Sequence, residues 1–473
     1  MLAADIEQQA KPLSGPLLPL LPPKPLSIDL GSSTTTRPRP PIHPGWVCET
    51  VVVPAAFPRS YAHSTKHPHE LRINPAVDSA TGQRADPERA LATLVAPQVE
   101  AFRQPISVDD THELDQQEQL VTVANRYRPA AAATTARRSG EGEQRGLTLV
   151  FSHANGFYRE VWEPLLATLL ERAEVGGKSL PIDEVWALDC INQGDAGVLN
   201  EPVLGEVFNW ADHGRDLLNF ILSYGDSPSS STGLLSPAPD VPAHLHLLDN
   251  QPSLPPGPPL AAARTYRGRL IVGIGHSLGG GATAYAASAL PALFSSLVFV
   301  DPVLPDPSNS TRAMTRLTTG ALMRRETWKT RAEARDGFVK KPFFQSWDPR
   351  VLEGYVEHGL VDVADGVALK VTARNEALTF MDPMAVAARR AATRLQLIPA
   401  SLPAHFIWAD KGRSVVDEDN IAWVLRDAIP HASWSRVEGA GHLLVHEKPD
   451  DAAQHLLQFL EKTYPRQPNK ARL

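Results

Sequence analysis

A serine stands among five glycines at residues 273–281, GIGHSLGGG, between the apolar run RLIVGI and the small-residue run ATAYAASAL. A G-x-S-x-G motif between a strand and a helix is typical of a nucleophile elbow, whose sharp turn exposes the serine hydroxyl. The helix that follows directs free N–H groups toward developing negative charge. The motif predicts that Ser277 is a nucleophile; the alternative is a plain strand-to-helix turn.

A nucleophilic serine needs a base, and the base needs a partner that orients it. His442 lies in EGAGHLLVHEKPD, a glycine-rich loop just before the last helical pattern. This position agrees with the chain order Ser, acid, His that accompanies the elbow. We predict that His442 is the base, whereas His446 falls four residues later, on the next turn.

A third part of such a site is a set of N–H groups that stabilises an oxyanion. The loop FSHANGFYREVW follows the apolar run at 147–151 and carries a His-Ala-Asn-Gly sequence where an HG-type motif would supply one donor. We predict that the backbone N–H groups of Asn155 and Leu278 are the donors, with Ala154 as the next candidate.

Short apolar runs must position these residues. GLTLVF, EVWALD, GRLIVGI and SLVFVD fit buried parallel strands, and helical patterns lie between them. Two strands in CETVVVPAAF and QLVTVANRY precede this series, while AHFIWAD and DDAAQHLLQFLEKTY supply a late strand and helix. The alternation predicts an α/β fold with a mostly parallel central sheet flanked by helices.

Composition excludes several classes of protein. The formal charge of −7 is spread along 473 residues without a long basic block, which argues against nucleic-acid binding. Two cysteines, Cys48 and Cys190, cannot form a disulfide framework and favour a reducing compartment. No apolar run of 18 residues is present, so we expect neither a secretion signal nor a membrane span.

Proline accounts for 43 of the 473 residues and indicates segments outside the packed core. We predict a disordered proline-rich leader over residues 1–45 and a disordered insertion over 225–265. The predicted core comprises residues 46–303 and 396–465. Residues 304–395 leave the carboxyl end of the strand at 296–301, the ligand-binding end of such sheets, and are predicted to form a helical cap after strand 6.

Together these motifs resemble the α/β-hydrolase superfamily. The chain is more narrowly similar to fungal peroxisomal α/β-hydrolases, related to peroxisomal lipases and to hydrolases of host-selective toxin biosynthesis. Besides the elbow, this resemblance depends on LDCINQGDAGVLN (188–200), FNWADHGRDLL (208–218) and WDPRVLEGYVEHGLVDVADGVALK (347–370). It implies the α/β-hydrolase fold.

The acid departs from the commonest pattern of that superfamily. Many members carry it after the penultimate strand as W-G-x-x-D, but WADKGRSVV has Gly412 at that position and Asp410 two residues earlier. The other candidate is Asp301 in VFVDPVLPD, a position that serves as the acid in some relatives. We favour Asp301, with Asp410 as the alternative and Asp417 third.

The resemblance implies a serine hydrolase that cleaves carboxylic esters through a Ser-His-Asp triad and an acyl-enzyme. Serine at the elbow argues against a dehalogenase or epoxide hydrolase, in which an aspartate attacks. The alternatives are an acyl-CoA thioesterase and a binding protein without catalysis. We expect a small apolar ester or thioester substrate, and neither a metal nor an organic cofactor.

The last three residues, Ala471, Arg472 and Leu473, follow the small-basic-leucine pattern of the S-K-L peroxisomal signal. We therefore predict that residues 466–473 form a tail that binds the peroxisomal import receptor. The alternative location is the cytoplasm.

Overall fold

The computed structural model of the chain describes residues 17–28, 39–65, 85–103, 105–107, 109–130, 146–175, 178–225, 269–307, 312–381, 386–464 and 467–468. Eight strands of these residues form one sheet in the order β1-β2-β4-β3-β5-β6-β7-β8. Their bounds are β1 (Trp46–Pro54), β2 (Val121–Pro129), β3 (Leu147–Ser152), β4 (Ile182–Leu188), β5 (Leu270–His276), β6 (Ser296–Val300), β7 (Ala404–Trp408) and β8 (Ser433–Arg436).

The sheet is parallel from β4 to β8, while β2 is antiparallel to both β1 and β4. The predicted mostly parallel sheet is therefore confirmed. Every residue of β3 and β5 is buried, as expected for central strands covered on both faces. Strand β8 was not predicted from the sequence, because its segment SWSR is short and polar. It forms an edge strand on which Trp434 is exposed.

Helices cover both faces of the sheet. One apolar cluster includes the pair α5 and α6, and a second includes α3 and α15 on the opposite face. The helices are α1 (Pro87–Arg103), α2 (Thr111–Gln116), α3 (Glu163–Ala173), α4 (Gly194–Asn200), α5 (Trp210–Asn219), α6 (Leu278–Ala289), α7 (Arg312–Leu322), α8 (Arg331–Val339), α9 (Pro342–Gln345), α10 (Pro349–His358), α11 (Ala373–Phe380), α12 (Val386–Arg394), α13 (Glu418–Trp423), α14 (Leu444–Glu447) and α15 (Pro449–Thr463).

Two parts of the segment predicted as a leader, residues 17–28 and 39–45, have defined positions in the structure, which the prediction of disorder over residues 1–45 did not anticipate. Leu17 and Leu20 are buried in the core cluster that contains α5 and α6. The buried Arg215 guanidinium donates hydrogen bonds to the carbonyls of Leu18 and Pro19, both at 2.7 Å. Prolines break a helix but leave carbonyl acceptors and apolar side chains, and these dock the extended segment. Residues 1–16 and 29–38 lie outside the described residues.

The segment between β6 and β7 contains helices α7 to α12. It also contains three short antiparallel strands, at 327–328, 360–363 and 366–369, that the prediction of a helical cap omitted. Such strands of two to four residues have too few side chains for an alternating pattern to be recognised. Helix α12 packs on α6 through buried alanines, among them Ala388 and Ala391.

Two sequence predictions cannot be compared with the structure. The insertion at 225–265 lies outside the described residues apart from Gly225, and so do Ala471, Arg472 and Leu473 of the tail. Within the described residues, no helix has both the length and the apolar character needed to cross a membrane.

Candidate active site

Ser277 occupies a strained turn between β5 and α6. Its φ is 55° and its ψ is −114°, in a region that side-chain-bearing residues seldom adopt. The turn is fixed by the N–H of Ser277, which donates to Val300 O at 3.1 Å, and by its carbonyl, which accepts from Val303 N–H. Helix α6 begins at the next residue, so Ser277 stands at the helix N-terminus, as the elbow motif predicts.

The glycines of the elbow permit two close backbone approaches. A Cβ atom at Gly275 would lie 2.1 Å from Gly279 O, and one at Gly279 would lie 2.2 Å from Ser152 O. Any side chain at either position would separate α6 from β3 and β5. The glycines are therefore required by packing, while Ser277 alone carries the hydroxyl into the site.

Asp301 follows β6 directly and is fully buried. Its φ is 35°, and among the described residues only Ser277 and Asp301 combine a positive φ with a side chain. Its Oδ1 accepts a hydrogen bond from Ala409 N–H at 2.9 Å, and its Oδ2 accepts one from Ser414 Oγ at 2.9 Å. Strained backbone of this kind is concentrated at functional sites, where surrounding contacts hold it.

His442 connects these two residues. Its Nδ1 lies 2.6 Å from Asp301 Oδ2, and its Nε2 lies 3.0 Å from Ser277 Oγ. The imidazole thus has the arrangement of a base that accepts the serine proton while a carboxylate holds the ring. Its side chain is 23% exposed, whereas the Asp301 carboxylate has no exposed surface.

His276 supports the loop that carries His442. Its Nε2 lies 2.9 Å from the main-chain oxygen of His442 and donates to it. Burial, and to a lesser extent the neighbouring His442, lowers the pKa of His276 to about 3, so this ring is neutral near pH 7. A neutral His276 imidazole supplies this N–H without placing a positive charge beside His442.

The other two candidates for the acid, Asp410 and Asp417, form hydrogen bonds that hold the local backbone. Asp410 Oδ2 accepts from Gly439 N–H at 2.9 Å and Asp410 Oδ1 from Lys411 N–H at 2.8 Å, and these bonds lower the pKa of Asp410. Asp417 caps α13 by accepting from Asn420 N–H. Of the three candidates, the structure brings Asp301 to His442. Asp410 instead shapes the loop that leads to His442.

The predicted oxyanion donors lie in two places, the loop after β3 and the first residue of α6. Neither the N–H of Asn155 nor that of Leu278 has a hydrogen-bond acceptor among the described residues, and the same holds for Ala154. Leu278 is the first residue of α6, where such N–H groups are expected. These groups can bind an oxygen that develops negative charge near Ser277.

Gln193 orients this loop. Its Oε1 accepts from Gly156 N–H at 2.9 Å, and its Nε2 donates to Asn155 Oδ1 at 2.5 Å. The Asn155 amide also donates to Glu376 O on α11 at 3.1 Å. Gly156 has a φ of 87°, and a Cβ there would lie 2.9 Å from Glu376 Oε1. The loop is therefore held between α11 and the segment that follows β4.

Burial lowers the pKa of His153 to about 4, so its ring is neutral near pH 7. Its Nδ1–H donates to Ala154 O at 2.8 Å, while its Nε2 accepts from Cys190 N–H at 3.1 Å. Both ring nitrogens are thus used in fixing the start of the oxyanion loop. Within the described part of the chain, these contacts indicate that His153 has a structural role.

The segment between β6 and β7 packs on the oxyanion loop and on α14, the helix that follows the His442 loop. Trp347 lies 5.6 Å from Phe157 and 4.8 Å from His446, measured between ring centroids. The N–H of Asp348 donates to His446 O at 2.8 Å. His446 is fully buried on α14, where burial lowers its pKa well below the usual value, and neither of its ring nitrogens has a hydrogen-bond partner among the described residues.

Three residues near the site were not found by sequence reasoning: Gln193, His276 and Ser414. Gln193 stands in LDCINQGDAGVLN and His276 stands inside the elbow, so both lay in stretches already singled out. No sequence pattern marks Ser414. Each of the three acts through a contact between chain segments that are distant in the sequence.

A comparison with protein families matches residues 149–455, well over half of the chain, to the alpha/beta hydrolase family. The chain belongs to the alpha/beta hydrolase family. The fold and the family that the sequence motifs predicted are thereby confirmed. The elbow, the His442 loop and the whole segment between β6 and β7 of this alpha/beta hydrolase lie within the matched range.

Individual relatives of this alpha/beta hydrolase are fungal. The type I acyl-CoA thioesterase mpaH of Penicillium brevicompactum is 27% identical over 233 residues, which cover 48% of this chain and 43% of the relative. The peroxisomal membrane protein LPX1 of Saccharomyces cerevisiae is 28% identical over 194 residues, or 41% of this chain and 38% of the relative. The chain thus matches less than half the length of either relative.

A solved structure has the same fold. The peroxisomal alpha-beta-hydrolase Lpx1 from Saccharomyces cerevisiae matches with a TM-score of 0.58 and 19% sequence identity. The match covers 91% of this chain and 94% of that one. It therefore extends beyond the sheet to the cap of this alpha/beta hydrolase.

Proposed function

We propose that this alpha/beta hydrolase is a serine hydrolase that cleaves carboxylic esters or thioesters through an acyl-enzyme. The observation that carries the proposal is the chain of contacts in which His442 lies 3.0 Å from Ser277 Oγ and 2.6 Å from Asp301 Oδ2. A serine, a base and a buried carboxylate in this order supply nucleophilic catalysis.

In the first half of the reaction, the Ser277 hydroxyl attacks the substrate carbonyl while His442 Nε2 accepts its proton. Asp301 accepts the Nδ1–H of His442 and stabilises the imidazolium that forms. The carbonyl oxygen becomes an oxyanion, which the N–H groups of Asn155 and of Leu278, the first residue of α6, stabilise. His442 then returns the proton to the departing alcohol or thiol, and an acyl ester of Ser277 is left.

In the second half, water replaces the leaving group. His442 accepts a proton from the water as its oxygen attacks the acyl carbonyl, and the same N–H groups bind the second oxyanion. Collapse of that intermediate breaks the bond to Ser277 Oγ, which recovers its proton from His442. The carboxylic acid leaves, and every group returns to its starting protonation state.

An acyl-CoA thioesterase is the second candidate. The relative mpaH carries the name of such an enzyme, and the matched portion covers 48% of this chain. Ester and thioester hydrolysis share the same acyl-enzyme, so the site chemistry supports both. Parallel measurement of kcat/KM with an acyl-CoA and with a p-nitrophenyl ester of the same acyl chain would distinguish them.

The proposed location is the peroxisome, where the small-basic-leucine ending would bind the import receptor. One relative, Lpx1 of Saccharomyces cerevisiae, carries a peroxisomal name and matches this chain both in sequence and in fold, which supports the proposal. The cytoplasm is the alternative.

Labelling with a fluorophosphonate probe tests the proposed chemistry, because the probe reacts with activated serines. Wild-type protein should be labelled and should hydrolyse short p-nitrophenyl esters, and Ser277→Ala should abolish both, with a loss in kcat of about 10⁴-fold or more. Ser346→Ala, which removes an exposed hydroxyl on the cap, is the matched control. Labelling that survives Ser277→Ala would contradict the proposal, and absence of labelling in wild type would favour a binding protein without catalysis.

A further inference from the structure

The Asp301 carboxylate has no exposed surface and receives three hydrogen bonds. His442 Nδ1 and Ser414 Oγ both donate to Oδ2, at 2.6 and 2.9 Å, and Ala409 N–H donates to Oδ1 at 2.9 Å. Two of the three donors therefore come from the loop that follows β7. A buried carboxylate depends on such donors because no water compensates for a missing one.

The direction of the Ser414 hydroxyl is determined by its two partners. A hydroxyl has one proton to donate, and an ionised carboxylate can only accept. The N–H of Val416 donates to Ser414 Oγ at 3.2 Å, which leaves the hydroxyl proton for Asp301 Oδ2 at 2.9 Å. The turn at 414–416 thus holds the donor in one orientation.

The shared oxygen couples Ser414 to His442. Both donors meet Asp301 Oδ2, so the hydroxyl fixes the carboxylate rotation that sets the position of the imidazole. It also withdraws part of the negative charge that would otherwise stabilise the imidazolium. A serine at this position therefore affects both the orientation and the proton affinity of His442 without touching the substrate.

We infer that Ser414 is a positioning residue of the hydrolytic site, which holds the Asp301 carboxylate toward His442. This inference deepens the proposed function and depends on it for its kinetic test. It assigns a role to the loop after β7, whose two donors, Ala409 and Ser414, bind the two different oxygens of Asp301.

The groups around His442 determine which of them a change in the pH dependence of activity reports. Within the described part of the chain, the titratable groups that contact His442 or its loop include Asp301 after β6, His276 on β5, His446 on α14 and Glu447, whose Oε2 accepts from Gly441 N–H at 2.7 Å. Burial lowers the pKa of His276 to about 3 and that of His446 well below its usual value. Burial therefore disfavours the charged form of both rings, and neither is expected to set the acid limb of activity.

Ser414→Thr and Ser414→Val test the inference as a matched pair, because threonine and valine have nearly the same shape and differ in the hydroxyl. We expect kcat/KM of Ser414→Val to fall about tenfold, as for loss of a hydrogen bond to a charged group. We also expect its acid limb to move to higher pH by several tenths of a unit, because Asp301 then stabilises the imidazolium more strongly. Ser414→Thr should stay within about twofold of wild type in kcat/KM, with an unshifted limb.

Wild-type activity in Ser414→Val would overturn the inference, and so would an equal loss in both variants or a loss without a shifted limb. Thermal unfolding identifies any variant that fails to fold, and Ser414→Ala supplies a smaller second deletion of the hydroxyl. The low-field proton NMR signal of the His442 Nδ1 proton gives a readout that needs no substrate. It should move in Ser414→Val and Ser414→Ala but not in Ser414→Thr, whereas failure of the proposed function would appear as an inactive, unlabelled wild type.

Discussion

The Nδ1 atom of His442 lies 2.6 Å from Asp301 Oδ2, although 141 positions separate the two residues in the chain. Asp301 directly follows β6, and His442 lies in a loop that begins after β8. Strand β7 lies between these two strands in the sheet, and its following loop supplies Ala409 N–H to the same carboxylate. The contact therefore depends on the order of three parallel strands, whose carboxyl ends meet at one edge of the sheet.

The first prediction concerns the choice of acid. Asp301→Asn should reduce kcat by about 10⁴-fold, because an amide cannot hold His442 in the required tautomer or stabilise its cation. Asp410→Asn should keep kcat within about threefold of wild type, since its side chain holds main-chain N–H groups rather than His442. Steady-state hydrolysis of a p-nitrophenyl ester measures both. Full activity in Asp301→Asn together with an inactive Asp410→Asn would transfer the role of acid to Asp410.

The second prediction concerns Gln193. Gln193→Met keeps the length of the side chain but leaves Gly156 N–H and Asn155 Oδ1 without their partners. Each buried polar group that loses its partner costs about 1–3 kcal/mol, so the free energy of unfolding should fall by about 2 kcal/mol or more. We also expect kcat to fall about tenfold, because the oxyanion loop loses its orientation.

Gln98→Met is the matched control for that variant. Gln98 is a buried glutamine on α1 that donates to Leu378 O at 3.3 Å and does not contact the oxyanion loop. Gln98→Met should leave kcat unchanged, whatever its effect on stability. Equal effects of the two variants on kcat would show that Gln193 has no particular role in the loop.

The third prediction concerns acid stability. Burial, with smaller contributions from His153 and Arg59, lowers the pKa of His213 to about 3 from an ordinary value of 6.5. Between these pH values the unfolded chain binds one more proton at this site than the folded protein does. The free energy of unfolding therefore rises with pH through this window and falls on acidification, by about 1.4 kcal/mol per pH unit for this group.

Replacement of this histidine isolates its contribution. His213→Gln should flatten the dependence of the free energy of unfolding on pH between pH 6 and 4 by about 1.4 kcal/mol per pH unit. Glutamine also retains an amide that can bond to Ser152 Oγ, the present partner of His213 at 2.9 Å. Urea unfolding at a series of pH values measures the slope. A variant with the wild-type slope would show that His213 is protonated in the folded protein.

The fourth prediction concerns location. A fluorescent reporter placed before the tail should accumulate in peroxisomes of a fungal cell when the chain ends in Ala471, Arg472 and Leu473. Deletion of Leu473 should leave it in the cytosol, because the receptor reads the terminal side chain and carboxylate together. The same diffuse cytosolic signal from both fusions would contradict peroxisomal import.

Most of the fold could be predicted from local sequence patterns. Strands β3 to β7 are continuous apolar runs and were found from the sequence, as was the elbow, whose glycines are demanded by contacts within a single strand-turn-helix unit. The leader at 17–28 and strand β8 were missed because their order depends on partners elsewhere: Arg215 donates to the leader, and β7 pairs with β8. A polar or proline-rich segment cannot display such partners in its own sequence.

Ser277, His442 and the backbone donors of the oxyanion loop could be nominated from the sequence, because each lies in a motif that is local in the chain. For the acid, the sequence favoured Asp301 but left Asp410 open, since both follow a strand and both carry a carboxylate. Only the tertiary structure decided which carboxylate reaches His442, because that depends on the turn after β6 and on the rotation of the Asp301 side chain. The same is true of Gln193, His276 and Ser414, which act through hydrogen bonds between distant segments, and a hydrogen bond of 3 Å is decided by packing rather than by spacing along the chain.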